Sequence, residues 1–202
     1  SKVSQDRGLI RYLMRRRHTT PFEMVEFKFH CKMPIFVARQ WVRHRTANIN
    51  EYSLRYSEAR DEFYIPDSKN IQFQSALNKQ GRSGVVPENL KNKVLKYFKD
   101  ISERSFEMYQ ELNEAGIARE LARSILPVNI YTEWYWKNDL HNLLHFIGLR
   151  SDSHAQYEIR VYSDAMAKFV KEVAPHAWEA YEDYVIKGMR FSGPEQKLLE
   201  KK

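Results

Sequence analysis

The sequence predicts an α+β fold, a sheet of few strands packed with several long helices in a single domain. Three patterns carry that expectation. Val25, Phe27, Phe29 and Cys31 alternate with Glu26, Lys28, His30 and Lys32, the period of a half-buried strand. Val128, Ile130, Thr132, Trp134 and Trp136 repeat the alternation further on. Elsewhere apolar residues recur three and four apart over long stretches, the spacing of amphipathic helices, with no internal repeat or low-complexity segment between them. A chain of 202 residues with 43% hydrophobic and 13% aromatic content suits one buried core better than two independent domains.

Taken in order, Leu9, Ile10, Leu13 and Met14 mark a helix from about residue 5 to 17. Thr20-Pro21-Phe22-Glu23 has the form of a capping box with proline at the first helical position, which starts a short helical turn or equally forms a polar loop. The first strand follows, with Cys31 on its apolar side as a core thiol, and Pro34 ends it. Residues 35–43 have helical character and place Gln40 and Arg43 three apart on one face, with the charged segment beyond them as a loop. Residues 62–65 read as a short strand closed by Pro66. Residues 67–86 are polar and glycine-containing, a long loop of the kind that is either functional or mobile. Val94, Leu95, Phe98, Ile101 and Leu112 define a long helix over about 87–116 ended by glycine, and a second runs over about 118–126. Pro127 opens the second strand, expected over 127–136. Helices near 138–149 and 153–173 come next, Pro175 introduces a last one to about Gly188, and 189–202 form a polar tail.

A net charge of +7 and a pI near 9.4 favour anionic partners, whether nucleic acid, a membrane surface or phosphorylated small molecules, and do not choose among them. No apolar run approaches the roughly 18 to 20 residues of a membrane helix, and no signal peptide opens the chain, so a cytoplasmic protein without membrane contact is expected. The single cysteine, Cys31, cannot form an internal disulfide, which is compatible with a reducing compartment.

Chemistry concentrates between residues 43 and 57. Arg43, Arg45 and Arg55 stand there with His44, Glu51 and the hydroxyls of Thr46, Tyr52, Ser53, Tyr56 and Ser57. Arginine's planar fork grips phosphate in a bidentate manner, and a carboxylate among arginines can accept hydrogen bonds from an imide or a sugar. The segment therefore reads as a phosphate or nucleotide site, against the alternative of a surface salt-bridge network.

Arg43-His44-Arg45, then seven residues, then Ser53 resembles the signature of the flavin-dependent thymidylate synthases. Asn50-Glu51 and Arg55-Tyr56-Ser57 agree with that family. Three further blocks match in order: His18 to Glu23, Ala38-Arg39-Gln40-Trp41, and Leu149-Arg150-Ser151-Asp152-Ser153-His154-Ala155-Gln156. The resemblance covers about residues 5–185. It implies methylation of dUMP to dTMP with methylenetetrahydrofolate as carbon donor and FAD reduced by NADPH, in a homotetramer with sites shared between subunits. Residue by residue it implies a dUMP site of Gln40, Trp41, Val42, Arg43, Glu51, Tyr52, Ser53, Leu54 and Arg55, joined by Arg123 and Arg150. It implies an FAD site of Thr20, Arg43, His44, Arg45, Glu51, Asp139, Leu140, His141 and His145, with His18 on the flavin and folate side. Arg150 takes the catalytic role, since a guanidinium beside the uracil favours its N3-deprotonated form and raises nucleophilicity at C5. Ser53 is implied to position substrate rather than attack it, as no histidine base is placed next to it.

The sequence departs from the family pattern at Met24, where a second histidine is frequent, at Asn48, where serine is common, and at Asp139, where asparagine is common. The loop around 74–84 is longer than in compact members, and its Asn78-Lys79-Gln80-Gly81-Arg82 run could reach an anionic ligand or be solvated. The chain starts at Ser1, without the N-terminal strand and helix that the family usually carries. His141 and His145 stand four apart as paired metal ligands do, but no third ligand or general-base glutamate accompanies them, so no metal is expected. The rival reading is a basic nucleic-acid-binding module, motivated by the charge and by arginines near Tyr52, Tyr56 and Tyr64. No nucleic-acid fold motif supports it, and none is expected as a partner.

Overall fold

The structure, a computed structural model, describes residues 2–77 and 81–199; Asn78, Lys79 and Gln80 of the long loop lie outside the described residues. The first helix, α1 (Lys2–Arg16), ends in a left-handed residue, Arg17, at φ 57°. The amides of Arg17 and His18 close that end by reaching back to the carbonyls of Met14 and Leu13 at 3.2 and 3.0 Å. A four-residue turn, α2 (Thr20–Glu23), follows with proline in its first turn. Its N-cap is Thr19 rather than Thr20, and no side chain caps it, so the capping box read from the sequence does not form.

The sheet has the order β1-β5-β2, with β1 (Glu26–Pro34) and β2 (Asn48–Glu51) both antiparallel to the central β5 (Tyr131–Asp139). One face of β5 presents Thr132, Trp134, Trp136 and Asn138, all buried, and β1 adds Cys31 and Met33 to that face. Pro34 ends β1 and caps α3 (Ile35–Trp41), which lays Val37, Ala38 and Trp41 on the sheet. The helix stops two residues before Arg43, so Gln40 and Arg43 do not share a helical face.

The 67–86 stretch holds a 3₁₀ turn (Ser68–Asn70) and a two-stranded ribbon of β3 (Phe73–Gln74) and β4 (Arg82–Ser83). The expected strand at 62–65 reduces to one bridge, Phe63 to Ile130. The long helix α4 (Glu88–Glu114) ends before Gly116, whose φ of 76° suits glycine. After it come α5 (Arg119–Ala122) and a 3₁₀ turn (Arg123–Ile125).

The last elements are α6 (Leu140–Arg150), α7 (Tyr157–Val173), α8 (Pro175–Tyr181), a π-helical turn (Glu182–Ile186) and the exposed α9 (Gly193–Leu199) within the expected polar tail. Two apolar clusters result. The larger joins Trp41, Trp134, Trp136 and Phe146 with the inner faces of α3, α6 and α7; the smaller gathers Ala59, Tyr109, Ala122 and Ile130 under α4 and α5. No helix among the described residues is long and apolar enough to cross a membrane.

Candidate active site

His44, three residues beyond α3, and Arg150, the last residue of α6, meet over the larger cluster. His44 packs edge-on against Phe146 with ring centroids 4.9 Å apart, and its Nε2 accepts a hydrogen bond from Arg150 Nε at 2.9 Å. Burial, reinforced by the charges of Arg150 and His145, holds the His44 pKa down at about 4 from its ordinary 6.5. At neutral pH the imidazole is therefore uncharged and can accept that bond. Burial also pulls the Arg150 pKa below its usual value, and a guanidinium remains charged at neutral pH regardless.

Around this pair the sequence-predicted residues divide. Trp41 is fully buried, while Val42, Arg43 and Arg45 are exposed. The Gln40 Oε1 is buried and has no hydrogen-bond partner among the described residues. Glu51 ends β2 and takes a 2.7 Å hydrogen bond from Thr132 Oγ1 across the sheet; among the described residues it forms no ion pair with the arginines expected to surround it. Thr132 was not legible as a site residue, because nothing in the sequence says which β5 side chain comes level with Glu51.

A second group lies over the smaller cluster. The Ser53 carbonyl accepts from the amides of Tyr56 and Ser57, both at 3.1 Å, in a tight turn, and the Arg55 amide reaches Ser53 Oγ at 3.3 Å. Arg55 pairs with Glu120 at 3.1 Å and Arg119 with Glu58 at 3.0 Å, tying this turn to α5, whose next residue is Arg123. Tyr52, Ser53, Leu54, Arg55 and Arg123 thus share one neighbourhood. No hydrogen bond or ion pair among the described residues joins it to Arg150 and His44.

Of the expected flavin residues, His141 and His145 come together with His18, while Arg43, His44, Arg45 and Glu51 do not line the same cavity. His18, His141 and His145 line one cavity of about 380 Å³ with the apolar side chains of Leu13, Phe22 and Leu144. Thr20 is exposed beside it, next to the lining residue Thr19. Asp139 caps α6, accepting from the Asn142 amide at 2.8 Å and its Nδ2 at 2.7 Å, and Leu140 is buried in the core. Cys31 is buried and its thiol is pushed up to about 12, mainly by burial. No group of three or more His, Cys, Asp or Glu among the described residues is placed to hold a metal ion.

A layered α+β domain that gathers arginines, a neutral imidazole and an unsatisfied amide acceptor, Gln40 Oε1, has the groups of the class of protein that holds a nucleotide. Residues 1–176 match the family model described as thymidylate synthase complementing protein, and the chain belongs to that family. It is 52% identical over 204 residues to a flavin-dependent thymidylate synthase of Rickettsia conorii, covering 95% of this chain and 69% of that one. It is 53% identical to one of Ruegeria pomeroyi over 194 residues, covering 94% and 64%. To one of Dictyostelium discoideum it is 52% identical over 191 residues, covering 95% and 63%. The chain thus spans under two thirds of the latter two. Among solved structures it resembles a UMP/dUMP methylase, PolB from Streptomyces cacaoi, in the form bound with 5-Br UMP. The TM-score is 0.84 at 35% identity, covering 90% of this chain and 83% of that one.

Proposed function

We propose that this chain methylates dUMP to dTMP, drawing the one-carbon unit from methylenetetrahydrofolate and its electrons from NADPH by way of FAD. The bond from Arg150 to His44 supports this most directly, since it joins the Arg-His-Arg block to the Leu149–Gln156 block across 106 positions. With Nε committed to His44, Arg150 keeps its two Nη groups for a substrate. A guanidinium there stabilises the N3-deprotonated uracil, and the enolate character that results raises nucleophilicity at C5. His44 holds the guanidinium in place only while neutral.

Gln40 fits the substrate because its buried oxygen lacks a donor, which an imide N–H or a ribose hydroxyl could supply. The histidine-lined cavity and the exposed Arg43 and Arg45 fit FAD, offering ring contacts on one side and phosphate forks on the other. Bound there, reduced FAD would supply the hydride and relay the one-carbon unit. A thiol raised as far as that of Cys31 is a poor nucleophile at neutral pH, which fits a route without a protein thiolate. Glu51, Ser53, Arg55 and Arg123 would complete the dUMP site within a cytoplasmic homotetramer.

The test is direct. The purified protein, supplied with FAD, dUMP, methylenetetrahydrofolate and NADPH, should form dTMP and oxidise NADPH in step. A colourless protein that retains no flavin and makes no dTMP would end the proposal.

A further inference from the structure

The fold fixes Glu51 twice over, through its backbone and through its side chain. Its Cα stands opposite that of Trp134 at the end of β2, and the next amide, that of Tyr52, donates to the Glu133 carbonyl at 2.8 Å. Facing residues of an antiparallel pair present their side chains on one face, so Glu51 projects on the inner face of the sheet with Thr132, Trp134 and Trp136. There its Oε1 accepts from Thr132 Oγ1 at 2.7 Å, while its Oε2 takes no hydrogen bond or ion pair among the described residues.

The two partners differ in freedom. Glu51 lies on an exposed edge strand, where a long side chain samples many orientations unless something holds it. Thr132 is a rigid donor: it is 7% exposed in the central strand, opposite the fully buried Met33 of β1, and branching at Cβ restricts its first torsion. A hydroxyl buried between Met33 and Trp134 without an acceptor would be costly, so the bond to Glu51 satisfies it and orders the carboxylate at once.

We propose that Thr132 is a positioning residue for the dUMP and FAD site, engaging Glu51 Oε1 and thereby setting the orientation in which Oε2 meets the ligands. The inference rests on the function proposed above and adds to it a residue 81 positions from Glu51, outside every motif block of the sequence. A threonine that only satisfies its own hydroxyl and fills its place in the sheet acts on ligands whether or not Glu51 is present. A positioning threonine loses its effect on them once the carboxylate is removed.

The experiment is a double-variant cycle on Thr132→Val, Glu51→Ala and the two combined, with Thr132→Ser as the conservative variant. FAD affinity and, at saturating FAD, dUMP affinity are measured for each, with Tm alongside. Thr132→Val should weaken the ligands about 5-fold, the cost of ordering one long side chain on binding. Thr132→Ser keeps the donor and should stay within about 2-fold of wild type. In the Glu51→Ala background, Thr132→Val should change neither affinity by more than about 2-fold, the resolution of such a cycle. A packing role alone would lower Tm and carry the same loss of affinity into both backgrounds. Loss on one ligand alone keeps the positioning role and assigns Oε2 to that ligand. Unchanged affinities in Thr132→Val, no recovery in Thr132→Ser, a loss that persists without the Glu51 carboxylate, or normal binding by Glu51→Ala overturns the inference. A wild-type protein that forms no dTMP yet follows this cycle on FAD or dUMP would instead end the proposed reaction and leave the positioning role standing.

Discussion

The bond between Arg150 and His44 makes the charge on one imidazole a condition for placing the guanidinium. Unfolding returns His44 to its ordinary pKa of 6.5, so between about 4 and 6.5 the unfolded chain binds the extra proton. The stability this residue contributes is therefore full above pH 6.5 and lost as pH falls toward 4. Wild-type Tm should drop through that window more steeply than the Tm of His44→Asn, which keeps an acceptor but does not titrate; parallel slopes would remove His44 from the account. Arg150→Ala should abolish dTMP formation while FAD content stays near wild type, as its side chain faces His44 rather than the histidine cavity. Retained turnover in that variant would refute the catalytic assignment. Arg150 and His44 were legible because each sits in a dense block of chemistry-bearing residues. Thr132 was not, since it belongs to an otherwise ordinary strand and meets Glu51 only through tertiary placement.

The elements show where periodicity works and where it fails. The alternation in β1 and β5 marked both strands because one face of each packs on the aromatic cluster. β5 lies a few residues later than expected, because Val128 and Ile130 extend the apolar alternation into a turn closed by the Ile130 amide on the Pro127 carbonyl. β2 was read as loop, since all four of its residues are exposed at the sheet edge and no alternation survives there. On α6, Gly148 was unremarkable in sequence, yet a Cβ at that position would stand 2.6 Å from the Tyr181 hydroxyl, which donates to the Leu144 carbonyl at 2.8 Å. Gly148→Ala should therefore destabilise the protein by about 1–3 kcal/mol in chemical denaturation, the usual range for overpacking. Since the hydroxyl is the clashing atom, Tyr181→Phe added to Gly148→Ala should recover part of that loss, and a double variant no more stable than the single one would refute this account of the contact.

At the scale of the molecule, the proposed dUMP residues occupy two neighbourhoods on two apolar clusters, Arg150 with Gln40 and Arg43 on one, Ser53, Arg55 and Arg123 on the other. The sequence lines them up as one site, but a motif carries no information about which copy of a chain each residue serves. No hydrogen bond or ion pair among the described residues joins the two groups, which is what a site completed by a second copy would show, and closed symmetric assemblies can supply such a partner. Arg150→Ala and Arg123→Ala would each be inactive alone on this account. Co-expressed with separate tags and purified as mixed oligomers, they should regain about a quarter of wild-type turnover, because random mixing places both intact arginines at about one site in four. The recovered activity should appear only in fractions carrying both tags. Mixed oligomers with no more activity than the two parents would mean that each site takes Arg150 and Arg123 from the same chain, and the separation of the two neighbourhoods would then need a rearrangement on binding dUMP to close it.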